Sequence, residues 1–250
     1  MRRTFKLLHW LVFLLTCASW TQVRAQEKSA SVNVVITRTG TTKTNTTANG
    51  VPDASNVAVW LTPLDRTQGH ASDPVPPEKP PQLVQRHKTF EPHILIVPVG
   101  TLIEFPNKDP FFHNIFSLYD GRRFDLGLYE AGTTRSVLFD RLGVSFLFCN
   151  IHAEMSAVVV AVDAPYFGLS DRAGNVSIPN IPDGRYQMHV WYERSLPEDL
   201  KGLARVVTIS DSTRNLGQIR IQENPKFTLN HKNKYGLDYV PPPNPDYNHP

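Results

Sequence analysis

Short apolar runs, each bounded by turn residues, are the feature that most constrains how this sequence folds. Runs such as "HILIVPVG", "TLIEFPN", "GVSFLFC" and "SAVVVAVDA" have the length of strands and are rich in β-branched and aromatic residues. The chain also contains 21 prolines and 14 glycines, which interrupt long helices, and it has no evident helical period. The sequence therefore predicts an all-β protein built from sandwiches or barrels.

The runs are distributed unevenly, which predicts two β-units. A dense series extends from residue 85 to 164, and residues 165–223 carry shorter runs between turns that indicate a second small sandwich. Residues 26–64 form an N-terminal β segment with two further runs, and a Pro-rich linker follows at 65–84. The last segment, 224–250, is polar, Pro-rich and weakly periodic, so we expect a disordered tail there.

The N-terminus has the features of a secretory signal peptide over residues 1–25. Arg2, Arg3 and Lys6 precede an apolar stretch, and Ala25 is a permissive residue before the expected cleavage point. The apolar stretch is shorter than a comfortable bilayer span, which favours cleavage over the alternative of an uncleaved anchor. We therefore expect a periplasmic protein whose mature chain has no membrane span.

The expected mature chain is close to electrically neutral. Four of the 26 basic residues and none of the 23 acidic residues lie in the signal segment, which leaves 22 basic residues against 23 acidic ones. A nucleic-acid-binding protein needs a basic patch or stripe. The charge balance therefore predicts that nucleic acid is not a partner.

Removal of the signal would also remove Cys17 and leave Cys149 as the one remaining cysteine. A single cysteine in an exported protein cannot form an intramolecular disulfide. It can be buried and inert, which is the commonest fate of a free cysteine. It can also pair with another chain, act as a nucleophile or bind a metal.

The segment "CNIHAEM" places Cys149, His152 and Met155 at three-residue intervals between two expected strands. Strands that hold both ends of such a loop allow its three donor atoms to face one point. His113 begins the run "HNIFSL" just after a turn, where the end of a sheet can face this loop. Two imidazoles, one thiolate and one weak thioether are the ligands of a blue-copper site, and they suit both Cu(I) and Cu(II). We therefore predict one copper ion bound by His113, Cys149, His152 and Met155.

The segments "VPVGTLIEFPNKDPFFHNIFSL" and "GVSFLFCNIHAEMSAVVVAV" resemble the cupredoxins of the plastocyanin and amicyanin type. The pair His113-Asn114 matches the family's first ligand and its neighbour, and the short Cys-x2-His-x2-Met loop is similar to that of amicyanin. The resemblance implies a Greek-key β-sandwich or barrel over residues 85–164. It also implies that Asn114 lies outside the ligand set and braces the cysteine loop.

The segment "GLSDRAGNVSIPNIPDGRYQMHVWYE" is similar to carboxypeptidase regulatory-like sandwiches of the transthyretin type. The N-terminal runs "SASVNVVIT" and "NVAVWLTP" resemble the opening strands of the same fold. We therefore expect one Ig-like, transthyretin-type sandwich that is split, with the cupredoxin inserted between its N-terminal and C-terminal strands.

The four predicted ligands leave no coordination position open for a substrate, so we expect electron transport and no enzymatic activity. The partners of such a carrier would be redox proteins. The exposed edge of His152 is the expected electron port. The neighbouring residues Pro110, Phe111 and Phe112 are candidates for a docking surface.

Other functions remain open at this point. Zinc accepts cysteine and histidine but gains little from methionine, and a cysteine nucleophile with His152 as its base would lack a third, orienting group. A copper chaperone or buffer would favour more methionine than this chain carries. In a binding or scaffold module, Trp60, Trp191 and Tyr192 would recognise a protein or glycan, and copper would be secondary.

Overall fold

The computed structural model describes residues 28–37, 53–65, 76–118, 120–228 and 230–239. The expected signal peptide lies outside the described residues, as do residues 66–75 of the expected linker.

The described residues fold into β-strands and one short helix, α1 (Pro197–Lys201). The strands are, in chain order, β1 (Ala30–Thr37), β2 (Ala58–Pro63), β3 (Val84–Arg86), β4 (Thr89–Glu91), β5 (Ile94–Pro98), β6 (Thr101–Pro106), β7 (His113–Ser117), β8 (Phe124–Tyr129), β9 (Thr134–Phe139), β10 (Gly143–Phe148), β11 (Ser156–Val162), β12 (Tyr166–Leu169), β13 (Asn175–Ile178), β14 (Gly184–Trp191), β15 (Arg205–Ile209) and β16 (Asn215–Gln222). The prediction of an all-β fold is confirmed.

Strands β3 to β11 form the unit that carries the candidate site. Its main sheet has the order β5-β11-β10-β7-β8, and β6 and β9 form a separate antiparallel pair. Strand β5 runs parallel to β11, whereas the other neighbours in the main sheet are antiparallel. Side chains from both layers share one apolar core, which includes Phe105, Phe139, Leu147, Cys149 and Met155.

Strand β11 explains the uninterrupted apolar run "SAVVVAV". Successive side chains of a strand point to opposite faces, so a strand covered on both faces is apolar at every position. One set of alternate residues, Ala157, Val159 and Ala161, packs into the core shared with β6 and β9. The other set, which is Val158, Val160 and Val162, packs against Ala58, Ile94 and Ile96 in a second cluster.

The second sandwich is built from both ends of the described chain. Strand β1 pairs antiparallel with β13 and parallel with β16, and β2 pairs antiparallel with β12 and β14. Their inward residues form a separate core that includes Val34, Leu61, Ile178, Met188 and Ile219. The expected split of this sandwich around the inserted unit agrees with these pairings, whereas the residue boundaries of the domains stay predictions.

Part of the C-terminal segment that is expected to be a disordered tail lies among the described residues. Within 224–250, the structure describes residues 224–228 and 230–239, and both stretches contact the folded units. The backbone N–H of Asn224 donates to the carbonyl of Arg194, and the Arg194 guanidinium lies 5.3 Å from the Phe227 ring centroid. Contacts of this kind, a backbone hydrogen bond and a cation over one aromatic ring, do not require a periodic pattern of apolar residues. The sequence therefore gives no sign of them.

His93 connects the two units through both of its ring nitrogens. Its Nδ1 lies 3.1 Å from the carbonyl oxygen of Ser156, at the start of β11, and its Nε2 lies 2.7 Å from a carboxylate oxygen of Glu193, which follows β14. Burial by itself lowers the pKa of His93, but the hydrogen bond and the negative charge of Glu193 outweigh it and raise the pKa. Only the protonated ring can donate to both oxygens.

We predict that this contact stabilises the fold less as the pH rises above about 6.5. The pKa of folded His93 is raised, so its stabilisation is complete below the pKa of the unfolded chain. This stabilisation is lost as the pH rises through the higher pKa that His93 has in the folded protein. Urea unfolding midpoints of the protein and of His93→Gln, measured between pH 5.5 and 8.5, should therefore converge with rising pH. A constant difference between the two midpoints would contradict the role assigned to the protonated ring.

Candidate metal centre

Three potential ligands meet at one end of the main sheet. His113 begins β7, Cys149 directly follows β10, and His152 lies in the loop before β11. Because β7 and β10 are neighbours, paired at Phe116 and Phe148, the first two residues lie side by side. One ligand atom from each of the three side chains lies within 4.8 Å of the other two.

Both imidazoles present the same nitrogen to the cysteine. The Cys149 sulfur is 3.8 Å from Nδ1 of His113 and 3.6 Å from Nδ1 of His152. Cys149 and His113 are fully buried, whereas His152 is partly exposed. The cluster therefore has a closed interior side and one side that reaches the surface.

The backbone of the loop folds back on itself. The N–H of Cys149 donates to the carbonyl of Met155, and the N–H of Met155 donates to the carbonyl of His152, each at 3.2 Å. Met155 is completely buried and belongs to the same core cluster as Cys149. The bond between Cys149 and Met155 thus extends the β10–β11 ladder by one hydrogen bond. The Met155 side chain lies on the buried side of the loop.

Backbone N–H groups surround the cysteine sulfur. The N–H groups of Asn114, Ile151 and His152 donate to it and favour the thiolate, but burial has the larger effect and raises the pKa of Cys149. A metal ion binds the thiolate, so metal binding at this buried cysteine would displace the thiol proton. The donated hydrogen bonds are compatible with such a bound thiolate.

His113 is oriented by Asp109, a residue that the sequence did not single out. Its Nε2 donates to Oδ2 of Asp109 at 2.8 Å, with both side chains buried. Burial lowers the pKa of His113, and Asp109 opposes this only in part. A neutral ring that donates through Nε2 carries a free lone pair on Nδ1, which is the nitrogen that faces Cys149.

Asp109 is itself held by the β3–β4 hairpin. Backbone N–H groups of His87 and Lys88 donate to its two carboxylate oxygens at 2.6 and 3.0 Å. Burial alone raises the pKa of Asp109, but these donors and His113 outweigh it and lower the pKa. His87 and Lys88 form a two-residue turn with φ of 53° and 55°, which fits a type I′ hairpin. The sequence signal was slight: an acidic residue four positions before a histidine.

Asn114 connects the cysteine to the neighbouring strand. Besides its backbone bond to the Cys149 sulfur, its side chain donates to Oδ1 of Asp125 at 2.8 Å. The N–H of Gly127 donates to the same oxygen. Asn114 therefore links the cysteine loop to β8, which is the position expected for a residue that supports this loop.

Aromatic and apolar side chains cover the surface side of the cluster. The Phe111 ring packs 5.2 Å from the His113 ring and 5.7 Å from the His152 ring, measured between centroids. Phe112 is 55% exposed and Ile151 is 45% exposed. Pro110 is exposed as well. Of the three residues expected at a docking surface, Phe111 contacts the cluster, and Pro110 and Phe112 are its exposed neighbours in the sequence.

Comparisons with known proteins return solved structures of low similarity. No protein-family model and no curated protein matches the chain. A purple cupredoxin from Nitrosopumilus maritimus matches with 23% identity and a TM-score of 0.31, over 33% of this chain and 99% of its own. A copper-containing nitrite reductase from Thermus scotoductus SA-01 matches with 23% identity and a TM-score of 0.32, over 40% of this chain and 27% of its own. An amicyanin variant in the Cu(I) form matches with 18% identity and a TM-score of 0.31, over 32% of this chain and 80% of its own.

Among the described residues, no helix combines the length and the apolar character that a membrane-spanning segment requires.

We predict that Asp109→Asn lowers the affinity of the cluster for a divalent metal by about 10- to 100-fold, because loss of a group that orients a metal-binding histidine has effects of this size. Competition against a chromophoric chelator, with Co(II) and Cu(II), measures the affinity. Asp65→Asn, at an exposed position, is the matched control. Equal affinities of the two variants would contradict the orienting role of Asp109.

Proposed function

We propose that this protein is a blue-copper electron carrier that binds one copper ion through His113, Cys149, His152 and Met155. The observation that carries the proposal is the buried cluster in which two imidazole Nδ1 atoms face one cysteine sulfur. Two histidines and a cysteine, with a methionine available as a weak fourth ligand, form a donor set that suits copper in both oxidation states.

The residues around the cluster fit such an ion. Asp109 keeps the His113 ring in the tautomer whose Nδ1 can bind a metal, and the N–H of Asn114 accommodates a thiolate on Cys149. When bound, copper would supply the one-electron step by cycling between Cu(I) and Cu(II). The buried positions of His113 and Cys149 would keep their geometry nearly constant during that cycle, which keeps reorganisation small.

The exposed side of the cluster supports a role in transfer between proteins. His152 is the only one of the three clustered side chains with exposed surface, and Phe112 and Ile151 provide an apolar surface next to it. Exposed apolar patches commonly mark sites of protein contact. We propose that redox partners dock here and exchange electrons through the His152 ring. The expected signal peptide would place this exchange in the periplasm.

The first test is a titration of the metal-free protein with Cu(II). We expect one equivalent to bind with an intense visible thiolate-to-copper absorption and a reversible one-electron potential. Cys149→Ser should abolish the absorption, because the serine oxygen cannot supply the thiolate. Colourless or rapidly exchanging copper would contradict electron transfer and favour a copper buffer or a scaffold instead.

The second test concerns Met155 as the weak ligand. We predict that Met155→Leu raises the reduction potential, because loss of a donor destabilises Cu(II) more than Cu(I) and the axial ligand tunes such sites. Cyclic voltammetry of the copper-loaded protein measures the potential. Met188→Leu is the matched control, since Met188 is equally buried but belongs to the core of the other sandwich. The same potential in both variants would show that Met155 is not a copper ligand.

A further inference from the structure

Residues 230–239 make polar contacts with the loop that carries Cys149. The hydroxyl of Tyr239 donates to the carbonyl oxygen of Cys149 at 2.5 Å. The backbone N–H of Lys234 donates to Oδ1 of Asn150 at 3.0 Å. Two residues of the loop are therefore held by a segment that follows them by more than eighty positions.

The same segment reaches the other side of the cluster through Asp125. The Lys234 ammonium lies 2.7 Å from Oδ2 of Asp125, whose other oxygen accepts the side-chain N–H of Asn114. Asn114 in turn donates its backbone N–H to the Cys149 sulfur. An unbroken series of hydrogen bonds thus connects Lys234 to the sulfur atom.

Aromatic packing fixes where the Tyr239 hydroxyl lies. His231 stacks on Phe148, the residue before Cys149, with ring centroids 4.0 Å apart. Tyr239 packs edge-on against His231 at 5.3 Å, and its hydroxyl oxygen is 3.3 Å from Nδ1 of that histidine. A tyrosine has few rotatable bonds, so this packing directs the O–H towards the Cys149 carbonyl at little entropic cost.

We propose that residues 230–239 are part of the metal centre, with Tyr239 and Lys234 as positioning residues that fix the cysteine loop and raise the reduction potential of its metal. This inference rests on the proposed copper site. These residues belong to the segment whose composition predicts a tail, and no pattern in the sequence indicates a role for them.

The effect on potential follows from where the charges lie. The carbonyl oxygen of Cys149 carries partial negative charge close to the sulfur, and it would stabilise the more positive Cu(II) ion. The O–H dipole of Tyr239 offsets part of that charge, as hydrogen bonds to ligands generally tune metal sites. The Lys234 ammonium likewise offsets the negative charge of Asp125. Removal of either group should therefore lower the potential.

The positioning role is tested first without metal. Amide hydrogen exchange of the full metal-free chain should be faster at Cys149 and Met155 in Tyr239→Phe than in the unaltered protein, because the ring stays but the loop loses its outer hydrogen bond. Tyr186→Phe is the matched control, because it removes a hydroxyl that donates to the carbonyl of Pro182 at 2.9 Å in the other sandwich, and it should leave exchange at the loop unchanged. Equal exchange rates in the two variants would overturn the positioning role.

The effect on potential is tested with the copper-loaded protein. Tyr239→Phe and Lys234→Gln should each show a lower reduction potential than the unaltered protein and Tyr186→Phe, with the visible absorption retained. An unchanged potential in both variants would overturn this part of the proposal. If the unaltered protein itself shows no thiolate-to-copper absorption, the copper function fails, and the exchange rates still decide whether the segment positions the loop.

Discussion

The pairing of Phe148 with Ser156 across β10 and β11 is the contact on which the candidate site depends. It fixes both ends of the segment from Cys149 to Met155, and the backbone bond between those two residues tightens the loop further. Strand β11 cannot shift easily, because its two faces are packed into two different cores. A shift of one residue would exchange the side chains between those cores. The position of β7 beside β10 then brings His113 to the same end of the sheet.

Around this loop, His113 and Cys149 are held by contacts from different parts of the chain. Asp109, held by the β3–β4 turn, orients His113, and Asn114 connects the cysteine sulfur to Asp125 on β8. Burial of a polar group costs free energy unless the group is hydrogen-bonded. A fully hydrogen-bonded network therefore favours one arrangement of its side chains. The split sandwich adds a further contact, since His93 joins Glu193 to the carbonyl at the start of β11. A site fixed in this way suits a metal that changes oxidation state while its ligands stay in place.

The sequence predicted those parts of the structure that leave a periodic or local signal. Apolar runs of strand length gave the all-β class, and the likeness of the N-terminal and C-terminal runs gave the split sandwich. Spacing within "CNIHAEM" and the strand start at His113 indicated that Cys149, His152 and His113 would meet. The contacts of Asp109 and Tyr239 leave no such signal, because a single hydrogen bond between residues far apart in the chain produces no pattern in composition or period. The contacts of Asp125, which joins Asn114 to Lys234, leave no such signal for the same reason.

X-ray absorption at the copper edge of the loaded protein tests the central claim most directly. Ligation by the cluster predicts a first shell with one short copper–sulfur distance from the Cys149 thiolate and two imidazole nitrogens. The short sulfur distance should be absent from Cys149→Ser. A first shell of nitrogen and oxygen without sulfur in the unaltered protein would contradict the proposed site, whatever the affinity for copper.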